Sequence, residues 1–529
     1  MKTLHKILTL SLILLVSVVS CKKDDLNLTP VNDKTATDVY ATPTGYKTAL
    51  VKLYASFGLT HSSGATASSD LGGLDPGFSD FLRLFWTAQE LTTDEAICSW
   101  GDVGIPELNS SLWSADNIFL RGLYSRSMYQ ITVCNEFLRE STPEKLAARN
   151  ISGADAENIN KYRAEARFLR AFQYWVLMDG FGNPPFVTED DAIGKTAPKQ
   201  ISRTDLFNYV EAELKAIETE LPEARANEYG RADKGAAWAL LARVYLNAQV
   251  YTGTPKYTEA ITYSSKVIDA GYSLATNYKN LFLTDNRETS GNELILTINY
   301  DGMTGENFGG TTFLVNAAVN AEMDTKSFGI PNGGWGGNRS RSNLPLAFSD
   351  YSGNTDKRAM FFGTKLATDD VGVFSDGLRI TKFKNVSSAG ITAPSTNGSF
   401  SSLDFPLFRL AEQYLIYGEA VARGGSGGNQ ATALTYFNSL RERAYGNATG
   451  NVAVLNVNLF LEERARELYW EGFRRTDLVR YGKFTDGSYL WPFKGGVKAG
   501  TSVAETRNIF PIPTADMIAN TNLVQNPGY

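Results

Sequence analysis

The strongest constraint on the fold is that helical segments come in pairs along the chain. In "KGAAWALLARVYLNAQV", residues 234–250, apolar side chains recur at helical spacing, and "YTGTP" then turns the chain into a second helix. Small residues at Ala260 and Ser264 let that second helix approach its partner closely. A second pair, "FRLAEQYLIYGEAVA" and "QATALTYFNSLRERA", flanks "GGSGG", and residues 159–178 and 204–221 are predicted to form a third. Because each helix has one apolar face to cover, the chain predicts a mainly α fold.

The hairpins resemble tetratricopeptide repeats, although several signature positions are missing. We therefore expect an α-solenoid of helical hairpins, discontinuous in sequence, with long loop-rich insertions and little β structure. The loop-rich segments are about 60–114 and 285–405, and the second contains one strand candidate, "NELILTINY". Loops of this length inside a compact domain are usually functional or disordered, and their aromatic content argues against disorder. This layout, aromatic loops on a helical scaffold, is typical of a binding protein.

The N-terminus predicts export. Residues 1–20 have a positive head and an apolar run from Ile7 to Val19, which is shorter than the roughly 20 residues that span a bilayer. This pattern predicts a signal peptide, and "VVS" before Cys21 resembles a bacterial lipobox. We expect a lipid on Cys21, a flexible tether over 21–30 and a single domain over 31–529. The mature protein would then be held to the membrane by lipid alone.

Charge and composition exclude several classes of function. The net charge is −6, and it becomes −8 when Lys2 and Lys6 leave with the signal peptide, which argues against nucleic acid as a partner. His61 would be the only histidine left, in a small-residue loop, so histidine-based catalysis is disfavoured. The chain has no zinc motif, Walker loop or Rossmann fingerprint, and we expect neither a cofactor nor a metal. Enzymes that use only Asp and Glu, such as glycosidases, pass this test.

Two cysteines follow Cys21 in the chain. Cys98 and Cys134 could pair outside the cytoplasm, although most pairs of lone cysteines do not.

The most specific sequence is "LFLEERARELYWEGFRRTDLVRYGKF", residues 459–484. Apolar and small residues form one helical stripe as far as Gly472, while Glu463, Glu467 and Glu471 share another face at i, i+4 spacing. Such carboxylates repel each other unless cations lie among them. The expected cations are Arg464, Arg474 and Arg475, and Asp477 is expected to pair with Arg480. We interpret the column as a salt-bridged structural helix; the alternative is a catalytic carboxylate set.

This helix, the lipobox with its acidic tether, "TTDEA" ahead of a tryptophan-bearing loop, and the ending "FPIPTADMIANTNLVQNPGY" together resemble the SusD/RagB family of surface lipoproteins. The resemblance covers nearly the whole mature chain. It implies a non-catalytic glycan-binding protein of the outer membrane with a helical, tetratricopeptide-containing core. It also implies a partner, a TonB-dependent transporter of the SusC type.

Sugar rings stack on aromatic side chains while polar neighbours bind their hydroxyls, so a glycan site needs loop aromatics beside polar residues. The predicted set is Trp100 with Asp102, Trp335 with Asn338 and Arg339, and Tyr300 with Asp301. Trp100 also matches the family pattern, in which a tryptophan follows the "TDEA" segment. Two alternatives remain: a member of the same family that captures peptides, and a glycosidase with two carboxylates.

Overall fold

The computed structural model describes residues 35–61, 69–194 and 196–529. The predicted signal peptide, Cys21 and the tether over 21–30 lie outside the described residues. The α-helices are α1 (Ala36–Val39), α2 (Pro43–Gly58), α3 (Phe81–Trp86), α4 (Ile105–Ser110), α5 (Ile118–Glu140), α6 (Pro143–Ala148), α7 (Gly153–Phe181), α8 (Arg203–Ile217), α9 (Lys234–Leu246), α10 (Ala248–Thr252), α11 (Tyr257–Asp269), α12 (Asn286–Ser290), α13 (Gly310–Ala318), α14 (Asn343–Leu346), α15 (Leu410–Ala422), α16 (Gln430–Tyr445), α17 (Val457–Leu468), α18 (Arg474–Arg480) and α19 (Thr514–Ala519).

The predicted helical pairs are present and stack side by side. Helix α9 packs on α11, α15 on α16, and α7 on α8, which confirms the mainly α, hairpin-based fold. Helix α11 also packs on α15, so two hairpins that are far apart in sequence form neighbouring layers. Ala260 and Ser264 of α11 are fully buried, and their small side chains allow close packing of this helix, which contacts both α9 and α15. The long helix α5 packs against α7 and extends this array toward the N-terminus.

Within the described residues, the strands form three two-stranded antiparallel pairs: β1 (Ala96–Cys98) with β3 (Asn338–Ser340), β2 (Leu294–Ile298) with β6 (Phe405–Arg409), and β4 (Phe361–Phe362) with β5 (Arg379–Ile380). The strand expected in "NELILTINY" is β2, and its partner "FPLFR" was not predicted. All five residues of each of these two strands are buried. Strand pairs between helices add little β structure, as expected.

The segment 60–114 is more regular than the predicted loop. It contains α3, a π-helical turn (Thr87–Leu91), β1 and α4. Helix α3, "FLRLFW", begins at Asp80, whose carboxylate accepts the backbone N–H of Arg83 at 2.9 Å. A six-residue, mostly apolar run shows no helical periodicity in sequence, because both of its faces are covered by the core.

The predicted helix over 459–484 is interrupted. Helix α17 ends at Leu468 and α18 begins at Arg474, so the expected continuous stripe to Gly472 is wrong. Gly472 has φ +87°, and a Cβ there would lie 2.5 Å from the ring of Phe85. The N–H groups of Gly472 and Phe473 donate to Glu90 Oε1 at 2.6 and 3.0 Å. A carboxylate from the π-helical turn therefore satisfies backbone donors in this break.

The carboxylates Glu463, Glu467 and Glu471 are fully buried and ion-paired, which confirms the structural interpretation. None of the three expected arginines contacts these carboxylates; Arg358 contacts Glu463 at 2.7 Å and Arg409 contacts Glu467 at 2.5 Å, both from other segments, while Arg466 of the same helix contacts Glu463 at 2.8 Å. Burial alone would raise the pKa of Glu463, but Arg358, Arg466 and Arg441 outweigh it and lower the pKa to about 2.

The three cations expected beside this column pair elsewhere. Arg464 contacts Asp477 at 2.7 Å, Arg474 contacts Asp94 at 2.7 Å, and Arg475 lies 3.5 Å from Asp179. The predicted pair Arg480–Asp477 is present at 2.9 Å.

Cys98 and Cys134 are buried and unpaired. Among the described residues, no helix is both long and apolar enough to cross a membrane.

Candidate functional site

The β1–β3 pair brings the two predicted tryptophan loops together. In the antiparallel register Cys98 faces Asn338, and Ser99 N–H donates to the carbonyl of Gly337 at 2.9 Å. Trp100 follows β1 and Trp335 precedes β3, so both tryptophans leave the same end of this ribbon. Residues that are 235 positions apart in sequence thus become neighbours through strand pairing.

The glycines around Trp335 let the two loops approach closely. The indole of Trp100 lies directly on Gly337: a Cβ there would be 2.3 Å from Nε1 of the indole, and the residue has φ +105°. Trp335 N–H donates to the carbonyl of Asn316 at 2.8 Å, at the end of α13. The loop is therefore held by backbone hydrogen bonds, and it does not need large side chains that would cover its aromatic rings.

Both tryptophan rings are half-buried, and each rests on phenylalanine. Trp100 contacts Phe313 edge-to-face at 6.1 Å between ring centroids, and Trp335 lies 6.3 Å from the ring of Phe308. Phe374, which is 43 % exposed, adds another ring beside Gly336. Phenylalanine behind each indole fixes its orientation while part of the indole stays accessible to solvent.

Arg83 is the polar residue of this site that the sequence analysis did not identify. Its guanidinium lies 5.6 Å from the Trp100 ring centroid and 4.6 Å from that of Phe313, and Nη1 donates to the carbonyl of Gly77 at 2.6 Å. Desolvation lowers its pKa to about 10, so it is still a cation at neutral pH.

Arg83 Nε has no hydrogen-bond partner within the described part of the chain. Nε is itself buried, so the guanidinium places positive charge beside the half-buried indole, and a direct bond from it to a ligand hydroxyl stays a prediction. The signal in the sequence was a single charge in the apolar run "FLRLFW".

Asp102 is exposed in the loop after Trp100. It is close enough that its carboxylate opposes the lowering of the Arg83 pKa. A carboxylate accepts hydrogen bonds from hydroxyls, so Asp102 and Arg83 present opposite polarity beside the same ring.

Asn338 and Arg339 are buried in β3 rather than turned toward solvent. Arg339 donates to the backbone carbonyls of Val371, Val373 and Asp376, the first at 2.6 Å. It thereby fixes the loop that carries Phe374. The structure gives Arg339 a supporting position, and direct contact of either residue with a ligand stays a prediction.

Tyr300 is also buried, at 8 % exposure. Its hydroxyl donates to Asp80 Oδ2 at 3.3 Å, and its ring covers Gly310, where a Cβ would come within 2.1 Å of the ring. With exposed Asp301 it lines a separate cavity of about 290 Å³. The structure therefore unites Trp100, Asp102 and Trp335, whereas Tyr300 and Asp301 occupy different surroundings.

A buried carboxylate pair lies on the inner side of the "TTDEA" segment. Glu90 and Glu95 are almost completely buried, and Trp470 N–H donates to Glu95 Oε2 at 3.1 Å. Desolvation raises the pKa of Glu90 to about 7. Burial, and after it the charge of Glu90, raises the pKa of Glu95 well above its usual value. In residues 35–61, 69–194 and 196–529, no group of three His, Cys, Asp or Glu residues is arranged to hold a metal ion.

Comparison with known proteins gives the family. Residues 322–529 match the model described as the SusD family, and residues 124–246 match one described as "Starch-binding associating with outer membrane". The chain is 37% identical over 578 aligned positions to starch-binding protein SusD of Bacteroides thetaiotaomicron, covering 100% of this chain and 99% of that protein. The chain belongs to the SusD family. The SusD/RagB resemblance seen in the sequence is thus confirmed.

Solved structures show the same fold as this SusD-family chain. Surface glycan-binding protein A from Bacteroides thetaiotaomicron, in complex with laminarihexaose, has a TM-score of 0.69 at 19% identity, covering 91% of this chain and 99% of that chain. Surface glycan-binding protein A from Bacteroides fluxus has a TM-score of 0.68 at 22% identity, covering 92% and 100%. At these identities the likeness establishes the SusD-type architecture.

Proposed function

We propose that this protein captures oligosaccharides at the cell surface, without turning them over, and passes them to a TonB-dependent transporter in the outer membrane. The observation that carries the proposal is the pair of half-buried tryptophans, Trp100 and Trp335, joined by the β1–β3 ribbon beside Arg83. Half-exposed indoles on rigid backing suit the apolar faces of sugar rings, and Arg83 and Asp102 suit their hydroxyls. The 37% identity to a starch-binding relative makes α-glucans the first ligands to test.

The same site argues for binding rather than hydrolysis. A glycosidase needs two carboxyl groups on either side of the scissile bond. Asp102 is exposed at the rim, while Glu90 and Glu95 are enclosed by the 470–473 backbone and so cannot reach a ligand in this conformation. We therefore expect bound oligosaccharides to be recovered intact.

The decisive experiment is calorimetric titration of protein that begins after Cys21. Malto-oligosaccharides come first, then β-glucans and other plant, host and microbial oligosaccharides, and then peptides. Trp100→Ala and Trp335→Ala should each weaken binding of one glycan class by about tenfold or more, as expected for central aromatic contacts.

Trp238→Ala is the matched control. Trp238 is also half-buried, but it lines a different cavity with Lys266 and Asp269. Its replacement should leave glycan affinity unchanged. If both loop substitutions leave glycan binding unchanged, the tryptophan site is wrong but glycan capture stands. If peptides bind and glycans do not, the peptide-capturing alternative is correct. Product formation would select the glycosidase.

The membrane and transporter parts of the proposal need tests in cells. Cys21→Ser should release the protein from the membrane fraction if lipid is the anchor. Loss of the protein, with the transporter retained, should slow uptake of the labelled glycan. Uptake that continues at the parental rate would contradict the delivery role.

A further inference from the structure

A second cavity, of about 550 Å³, is lined by residues that do not belong to the tryptophan site. It lies between the segment before α9, the turn after α11 and the segment from α12 into β2. The residues that define its chemistry are Arg225, Tyr229, Tyr272, Arg287, Glu288 and Asn292. Its volume is in the range of about 300–1,000 Å³ that is usual for small-molecule sites.

Two arginines on its wall, Arg225 and Arg287, form no direct ion pair within the described residues. Arg225 donates to neutral acceptors, the carbonyl of Gly271 at 2.6 Å and Asn292 Oδ1 at 3.2 Å. The guanidinium of Arg287 lies 4.6 Å above the centroid of the Tyr229 ring. Within the described residues, neither arginine lies within 4.0 Å of an Asp or Glu oxygen.

Arg231, the third cation of this cavity, is different. It contacts Glu165 at 2.5 Å and Glu228 at 3.1 Å, so its charge is neutralised. Glu228 is in turn bound by Lys47 at 2.9 Å. The arginines of the wall that no carboxylate contacts directly are therefore Arg225 and Arg287.

Asp233 and Glu288 are the other acidic groups of the wall, and hydrogen bonds from neutral N–H groups do not remove the charge of a carboxylate. Asp233 caps α9 through the N–H of Ala236 at 3.1 Å and accepts the N–H of Arg225 at 2.6 Å, so both of its oxygens have donors. Glu288 is exposed and, in the part of the chain that the structure describes, has no ion pair. The described wall therefore carries as many carboxylates as arginines, but Arg225 and Arg287 are the arginines that no carboxylate contacts directly.

Neutral polar groups complete the cavity. Thr276, Thr289 and Asn292 are exposed on its wall and can donate to or accept from hydroxyls. A planar guanidinium that already rests on a ring presents its N–H edge for bidentate binding of a carboxylate. A ligand that uses both features needs a carboxylate and several hydroxyls on one small ring.

We propose that this cavity binds an acidic sugar unit, a pyranose that carries a carboxylate, with Arg287 and Arg225 holding the carboxylate and the neutral wall holding the hydroxyls. The site is separate from the tryptophan loops, so it extends the recognition surface beyond the proposed function. It would let the protein select glycans with charged units, whatever neutral glycan the tryptophans bind.

The test is calorimetric titration at low ionic strength with the disaccharides of glucuronate and galacturonate. Glucose and galactose disaccharides and sodium sulfate serve as comparison ligands. We expect saturable binding of an acidic sugar, weak binding of the neutral sugars, and a decrease in affinity as salt is added. Arg287→Gln should weaken binding about tenfold or more, because it removes a charge-assisted fork.

Glu288→Gln is the matched variant with the opposite charge change on the same short helix. It should strengthen binding severalfold, since it removes a repelling carboxylate, whereas a loss of local structure would weaken binding in both variants. Trp100→Ala should leave acidic-sugar binding unchanged. The acidic-sugar proposal can therefore fail without affecting the proposed tryptophan site, and the reverse. The proposal is overturned if neutral sugars or sulfate bind as tightly as the acidic sugar. It is equally overturned if Arg287→Gln binds like the parent, or if both variants bind more weakly.

Discussion

Gly337→Ala tests whether the close approach of two loops creates the glycan site. An added Cβ would lie 2.3, 2.6 and 2.8 Å from Nε1, Cε2 and Cδ1 of the Trp100 indole. These are atoms of one rigid ring, so the whole indole must move off the loop. Loss of a central aromatic contact costs about 1–2 kcal/mol of binding free energy, or about 5–30-fold in Kd. We expect Gly337→Ala to bind glycan about as weakly as Trp100→Ala.

Gly333→Ala is its control. Gly333 also has a left-handed φ, +90° against +105° at Gly337, but a Cβ there would have nothing within 4 Å. Both substitutions should cost about 1–3 kcal/mol of folding free energy from backbone strain. Only Gly337→Ala should also displace Trp100.

The assay combines calorimetry with the best glycan of the panel and denaturant unfolding of each variant. The expected pattern is comparable loss of stability in both variants and loss of glycan affinity in Gly337→Ala alone. Equal glycan affinity in two folded variants would refute the reasoning, because the position of Trp100 would then not matter for binding.

Three further predictions concern the buried charges and thiols. Desolvation raises the pKa of Glu90 from 4.5 to about 7. Between these two pH values the folded protein keeps a proton that the unfolded chain loses. The free energy of unfolding therefore falls by roughly 3 kcal/mol as the pH rises from about 4.5 to about 7. In denaturant unfolding, Glu90→Gln should therefore have a higher free energy of unfolding than the parent at pH 8 but not at pH 4.5. The same difference between variant and parent at both pH values would contradict this explanation. Glu467→Ala removes one carboxylate from a buried network and leaves its arginines in excess over the remaining acids, which should cost about 3–5 kcal/mol of unfolding free energy. Glu462→Ala, at an exposed pair of 3.8 Å, should cost less than about 1 kcal/mol, and equal losses in the two variants would show that burial is not the cause. Cys98 and Cys134 should both be alkylated after unfolding without reductant, as read by intact mass, and recovery of an unlabelled pair would show a disulfide.

The sequence alone was sufficient for the features that depend on local pattern. Helical periodicity gave the pairs around 234–269 and 410–445, because every turn of an amphipathic helix repeats the same information. Glycines around Trp335 and the "SWGDVG" context of Trp100 marked both loops as open, since residues without side chains cannot cover a ring. Specific segments such as residues 510–529 gave the family.

Other features depend on partners that lie far away in the chain. Arg83 comes close to the Trp100 ring only because α3 packs against that loop, and the hydroxyl of Tyr300 bonds Asp80, 220 positions away. Arg409 pairs with Glu467 across 58 positions. The sequence shows which kinds of partner a charged or aromatic residue can bind. Tertiary packing decides which of several possible partners it contacts.

The break between α17 and α18 also separates what the local sequence determines from what tertiary contacts determine. Its local pattern favours a continuous helix, yet Glu90, 382 positions from Gly472, takes the N–H donors of the loop. The buried carboxylate offers those donors a partner that a continuous helix would not need. Sequence periodicity therefore determined which segments are helical, and the tertiary arrangement decided where the helix stops and which loop residues form the site, because those outcomes depend on hydrogen bonds and contacts between distant segments.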